Sequence, residues 1–144
     1  MRKRAILFGA AALATTAVAV PAADAGPGPQ ELVAALSGTE EVPMAGDADA
    51  YGAAAVDFSR RQRVCFRIVA KNVDDVKAGH IHEGKAGVAG PVVVPLFEGS
   101  VPARTRCVRV TRKLSREIRR DPGDYYVNVH NAEFPGGAVR GQLG

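Results

Sequence analysis

Beyond residue 30 the chain is a succession of short apolar or alternating runs, each closed by Gly, Pro or Asp, with one stretch of helical spacing. Strands are expected over residues 31–36, 51–58, 63–70, 76–82, 92–97, 105–111, 125–130 and 138–143. The first of these would also suit a helix on propensity alone. Leu114 and Ile118 fall one turn apart in residues 114–120, and Asp121-Pro122-Gly123 stops that run, which predicts a short helix covering one end of the fold. Many short strands with turn signals between them predict an all-β sandwich or barrel.

Successive strand residues point to opposite faces, so alternation assigns each side chain a side. In "RVCFRIVA" it puts Val64, Phe66 and Ile68 inside and Arg63, Cys65 and Arg67 outside; in "TRCVRVT" it puts Val108 and Val110 inside and Cys107 outside. Cys65 and Cys107 are the only cysteines. They are therefore expected to form a cross-strand disulfide between adjacent strands on the solvent side of a sheet, within the ~7 Å Cα limit for such a bond.

The same alternation applies to all three histidines of the chain. His80 and His82 in "GHIHEG" share a face opposite Ile81, and in "DYYVNVHN" the residues Tyr126, Asn128 and His130 lie opposite Tyr125, Val127 and Val129. If the two strands are neighbours, three imidazoles converge. Neutral imidazole suits copper and zinc, and a strand holds alternate ligands on one side. The same rings would serve equally well to hydrogen-bond loop backbone and hold the glycine-rich corner "EGKAGVAGP". Glu83 is out of phase with His82, although a turn beginning there would free it to join the site. Asn128 and Arg140 are further candidates to hydrogen-bond nearby, read on outward faces as exposed polar residues.

The first residues, "MRKRAILFGAAALATTAVAVPAADAG", have the basic start, apolar middle and Ala-x-Ala ending of a secretory signal peptide. Residues 1–25 are expected to be removed, residues 26–30 to be a linker and residues 31–144 to be the domain. The mature chain is then secreted or held in the cell envelope, meets an oxidising environment that favours the disulfide, and has no further membrane span. Loss of three of the 19 basic and one of the 15 acidic residues leaves 16 against 14. The charges are segregated. Residues 26–59 contain six acids and no Lys or Arg, whereas residues 104–120 hold eight bases against Glu117. Such a run is ordinarily a solvated face; its functional alternative is a surface for polyanions, through Arg104, Arg106, Arg109, Arg112, Arg116, Arg119 and Arg120.

No Gly-x-Ser-x-Gly elbow, free cysteine nucleophile or phosphate-binding glycine fingerprint is present, so no hydrolytic machinery is visible. The protein is expected to be non-enzymatic and not to bind nucleic acid.

The stretches "LSGTEEVP", "AGHIHEGKAGVAGPVVVPL" and "YYVNVHNAEFPGGAVRGQL" resemble, in order, the start, middle and end of the CHRD domain of chordin and of exported bacterial proteins. The resemblance implies an immunoglobulin-like or superoxide-dismutase-like Greek-key β-sandwich with one short helix. It also implies a binding module whose partner is an extracellular protein or cell-surface ligand. A more limited similarity to copper/zinc superoxide dismutase matches His80 and His82 to its first pair of copper ligands and His130 to a later one. That enzyme also needs a bridging histidine and zinc ligands, and no histidine occurs between Glu83 and Val129. The expectation is therefore a copper site of His80, His82 and His130, with a copper-dependent dismutase lacking the zinc subsite as the alternative.

Overall fold

The computed structural model describes residues 31–60 and 62–144. The expected signal peptide and linker lie outside them. The strands are β1 (Glu31–Ser37), β2 (Tyr51–Asp57), β3 (Arg63–Lys71), β4 (Val76–Glu83), β5 (Val92–Glu98), β6 (Arg106–Arg109), β7 (Tyr125–Asn131) and β8 (Val139–Gln142), with one α-helix, α1 (Arg112–Arg120), between β6 and β7. The all-β class with one short helix is as expected. The segment that would also have suited a helix is β1, where Leu32, Ala34 and Leu36 are buried in strict alternation.

All pairings are antiparallel. The two faces of the expected sandwich belong to a single eight-stranded sheet of order β5-β4-β7-β8-β1-β2-β3-β6. The sheet curls so that its halves enclose one core, and the connections β3–β4, β5–β6 and β6–β7 carry the chain from one half to the other in the manner of a Greek key. The halves join at β8 and β1, where Ser37 opposes Arg140 and the backbones of Val33 and Gly144 exchange two hydrogen bonds of 3.0 Å. Leu32, Val56 and Phe66 face Ile81, Val94 and Val127 across the core. Phe66 of β3 stacks against Phe97 of β5 with centroids 6.3 Å apart. Gly79 makes room for that ring, since a Cβ there would lie 2.2 Å from it.

Helix α1 begins two residues earlier than its apolar spacing suggests, because Thr111 caps it by accepting the Leu114 N–H at 3.1 Å. Ile118 is fully buried and anchors the helix to the core. No helix among the described residues is long and apolar enough to cross a membrane.

Cys65 and Cys107 are directly opposed on β3 and β6 and form a disulfide with Cα atoms 3.9 Å apart. The expected adjacency holds, but the expected solvent exposure of both does not: Cys65 is only 6% exposed. It lies inside the sheet between β2 and β6, so neighbouring strands and its own bridge cover it, whereas Cys107 on the edge strand is half-buried.

The bridge spans 42 residues, and in the chain-entropy view a loop of that length is worth up to about 4 kcal/mol. A Cys65→Ala, Cys107→Ala variant is expected to lose 2–4 kcal/mol, give or take about 1, in urea-induced unfolding. An unchanged unfolding free energy would show that strand pairing alone confines this part of the chain.

Candidate metal centre on a covered sheet face

Strand alternation and register assemble the site. Across β4 and β7, Ala78 opposes His130, His80 opposes Asn128 and His82 opposes Tyr126; across β7 and β8, Asn128 opposes Arg140 and Tyr126 opposes Gln142. His80, His82, Tyr126, Asn128, His130 and Arg140 therefore share the outer face. Next to the site, the pairing of β4 with β5 shifts register between Gly79 and His80 and again between Ile81 and His82. Such bulges re-aim side chains beside functional sites.

The outer face is covered, which corrects the expectation of exposed Asn128 and Arg140. Asn128 and Arg140 are each 2% exposed and His82 is 8% exposed. Three loops lie over them. Residues 38–50 bring in Glu41, which is buried; residues 84–91 supply the carbonyls of Lys85 and Gly90; residues 132–138 supply that of Pro135.

These loops fix the rings. His82 Nδ1 lies 2.9 Å from the Gly90 carbonyl and His130 Nδ1 lies 3.1 Å from that of Pro135. A carbonyl only accepts, so both Nδ1 atoms carry the proton and both Nε2 atoms present a lone pair. His130 Nε2 meets His80 Nδ1 at 3.1 Å, so His80 is the donor there. His82 Nε2 is buried and has no protein partner. One ring nitrogen from each of the three histidines lies within 4.8 Å of the others. The role of holding the corner, read from the sequence, is taken by His82 and His130, whose Nδ1 atoms hold the loops at Gly90 and Pro135.

Burial keeps the imidazoles neutral. It is the main cause that lowers His80 to about 4, helped by the charges His130 and His82 would carry. His82 and His130 are also lowered mainly by burial; the hydrogen bonds to Gly90 and Pro135 pull the other way, while Arg140 adds to the lowering at His82 and His82 to that at His130. Neutral imidazole is the form that binds a metal.

Tyr126 supports this arrangement. Its ring stacks on His82 at 4.9 Å between centroids, and the Arg140 guanidinium carbon sits 3.4 Å from the Tyr126 centroid. The Tyr126 hydroxyl accepts the Gly90 N–H at 3.1 Å, and Arg140 donates to the Lys85 carbonyl at 2.9 Å. The glycine-rich loop is thus tied to the sheet by His82, Tyr126 and Arg140 together.

Glu83 does not join the imidazoles. It remains in β4, in phase with Ile81, and is exposed beside α1 among Lys113, Glu117, Arg120 and Asp124. Glu41 was not anticipated. Its Oε2 accepts from Asn128 Nδ2 at 3.0 Å, and burial raises its carboxyl to about 7 against the opposing effects of Arg140, Asn128 and the Val42 N–H. Gly137 permits the fit, because its φ is +145° and a Cβ there would lie 2.5 Å from the Glu41 carboxylate. The signal available in sequence was that "LSGTEEVP" carries part of the family resemblance without any visible reason of its own.

Residues 32–143 match the family model described as the CHRD domain. No curated relative and no solved structure matches the chain.

Glu41 makes the fold pH-sensitive in a definite direction. A carboxyl raised from 4.5 to about 7 holds its proton more tightly when folded, so its contribution is most favourable below the unfolded value and is lost as pH rises through the folded one. The loss is on the order of 3 kcal/mol. Glu41→Gln keeps an acceptor for Asn128 and does not titrate. Its stability relative to the parent is expected to rise by about that amount between pH 4.5 and 7 and then level off, with the histidine contributions cancelling in the difference. Parallel stability curves for the two proteins would contradict the burial of this carboxyl.

Proposed function

Because the chain belongs to the CHRD-domain family, we propose that it is an exported, non-enzymatic binding module that holds one copper ion on His80, His82 and His130. The observation that carries this reading is the convergence of three ring nitrogens within 4.8 Å, with the Nδ1 atoms of His82 and His130 already engaged by backbone carbonyls. Metal-bound histidines commonly use their second nitrogen in this way. Ligands about 2 Å from one ion lie about 3–4 Å apart, so the widest of these separations would need to close by roughly 1–2 Å. The buried, unpartnered His82 Nε2 and an all-imidazole donor set fit copper, which when bound would supply an open position for an exchangeable ligand.

The residues of the chain divide the work. His82, held between Tyr126 and the Gly90 carbonyl, is the fixed ligand; His130 is oriented by Pro135. Among the described residues the His80 ring is hydrogen-bonded only to His130, and it would give up that bond on binding the ion. Arg140 helps burial lower His82 and so favours its neutral, metal-binding form. The histidines are three in number, so all are consumed by one ion and no bridging imidazole remains for a second. The disulfide supports export, since such bonds persist in oxidising compartments.

Anaerobic copper titration of the mature protein, read by competition with a chromophoric chelator and by nitrogen hyperfine structure in the Cu(II) spectrum, is expected to give one tight equivalent. A His80→Ala, His130→Ala variant should lose it, and the copper-loaded protein should not turn over superoxide. Equal uptake by the variant would remove the site from consideration, and superoxide turnover would establish the dismutase alternative.

A further inference from the structure

The imidazole site makes no use of the arginine run, and the fold gathers part of that run into a groove. Arg112, Arg116 and Arg119 recur at helical spacing along one side of α1, facing Ser59, Arg60 and Gln62 of the β2–β3 turn across a groove of 360 Å³. Among the described residues no ion pair engages Arg60, Arg112 or Arg116. The acids nearby are committed elsewhere. Glu117 pairs with Lys113 at 3.4 Å and Asp121 with Arg120 at 2.7 Å, while Asp57 accepts from the Ser59 backbone and hydroxyl.

A second feature points the same way. Arg63 and Arg109 are directly opposed on β3 and β6, both exposed, and among the described residues neither is in an ion pair. Like charges facing each other across a strand pair oppose the pairing, which the neighbouring Cys65–Cys107 bridge holds together, so the two guanidinium charges stay uncompensated on the surface. The Val110 N–H donates to the Gln62 carbonyl at 3.1 Å, which ties the end of this strand pair to the lip of the groove. A positive strip therefore runs from α1 across the turn to the sheet edge.

We infer that this strip binds an anionic polysaccharide through its sulfate or carboxylate groups. Guanidinium forks match both groups bidentately, and the groove adds the hydroxyl of Ser115 for sugar oxygens. Single-stranded nucleic acid is held by stacking on exposed aromatic rings as well as by charge. The aromatic residue lining the groove is Phe58, which is 4% exposed and committed to the core. The disulfide also places the chain in an oxidising compartment, where acidic polysaccharides are the abundant polyanions.

The probe is a size-defined heparin octasaccharide, titrated into the mature protein between about 0.05 and 0.2 M NaCl, settings spanning Debye lengths of roughly 7–14 Å. Arg112→Ala with Arg116→Ala, alanine being a good helix former, is expected to weaken binding about tenfold or more and to flatten the slope of log K against log [salt] by roughly 1.5. Arg60→Ala, on the opposite wall, should cost about threefold. Lys77→Ala with Lys85→Ala removes the same charge from lysines paired to Asp75 and Asp124, and should change affinity by less than about twofold. Unfolding midpoints of all variants check that the fold is intact. Equal losses in the lysine control would reduce the effect to net charge and overturn the proposal. So would a single-stranded oligonucleotide of equal charge that binds as tightly and depends on the same arginines.

Discussion

A polar side chain withdrawn from water must find a partner or cost the fold several kcal/mol, and the outer face of β4, β7 and β8 is organised by that constraint. The face carries three imidazoles, an amide, a phenol and a guanidinium, and three loops close over it. Because those loops have few side chains of their own to offer, the polar face finds much of its hydrogen bonding on their backbone, while Glu41 Oε1, His82 Nε2, Asn128 Oδ1 and Arg140 Nη1 stay buried without a partner among the described residues. His82 and Tyr126 take Gly90, Arg140 takes Lys85, and His130 takes Pro135. The loops are held by the site, and the loops in turn bury much of it.

Much of the fold and the grouping of the candidate ligands were legible in sequence because a strand has a strict period of two. Alternation placed His80, His82 and His130 on one face, paired Cys65 with Cys107 and put Val64, Phe66 and Ile68 inside. It could not say whether the opposite face meets solvent. That depends on segments with no period at all, and so Asn128, Arg140 and Cys65 were read as exposed although they are buried. Glu41 was illegible for the same reason: one of six acids in an acidic stretch, it alone among them is buried, through a loop path that local spacing does not encode. The single continuous sheet was also beyond reach, because the joint between β8 and β1 rests on backbone hydrogen bonds that side-chain pattern does not report.

The molecule separates two kinds of electrostatics. On the covered face, loss of solvent dominates: it holds the imidazoles neutral and keeps the Glu41 carboxyl protonated to about pH 7. Around α1 the charges stay in water, where the arginines retain their full field and screening by salt governs what they attract. In so small a domain, burial sets the electrostatics of one region and exposure those of the other.

The strand order carries a consequence for how the domain is made. β8, the last strand in sequence, sits between β7 and β1 in the middle of the sheet. A chain delivered N-terminus first, from a ribosome or through a membrane channel, can zip β1 to β2 and β3 early, and later β4 to β5 and β7. These are two half-sheets with raw inner edges until residues 139–142 arrive to join them. Joining of the two half-sheets therefore waits for the last strand, and the sheet becomes continuous only when residues 139–142 are in place.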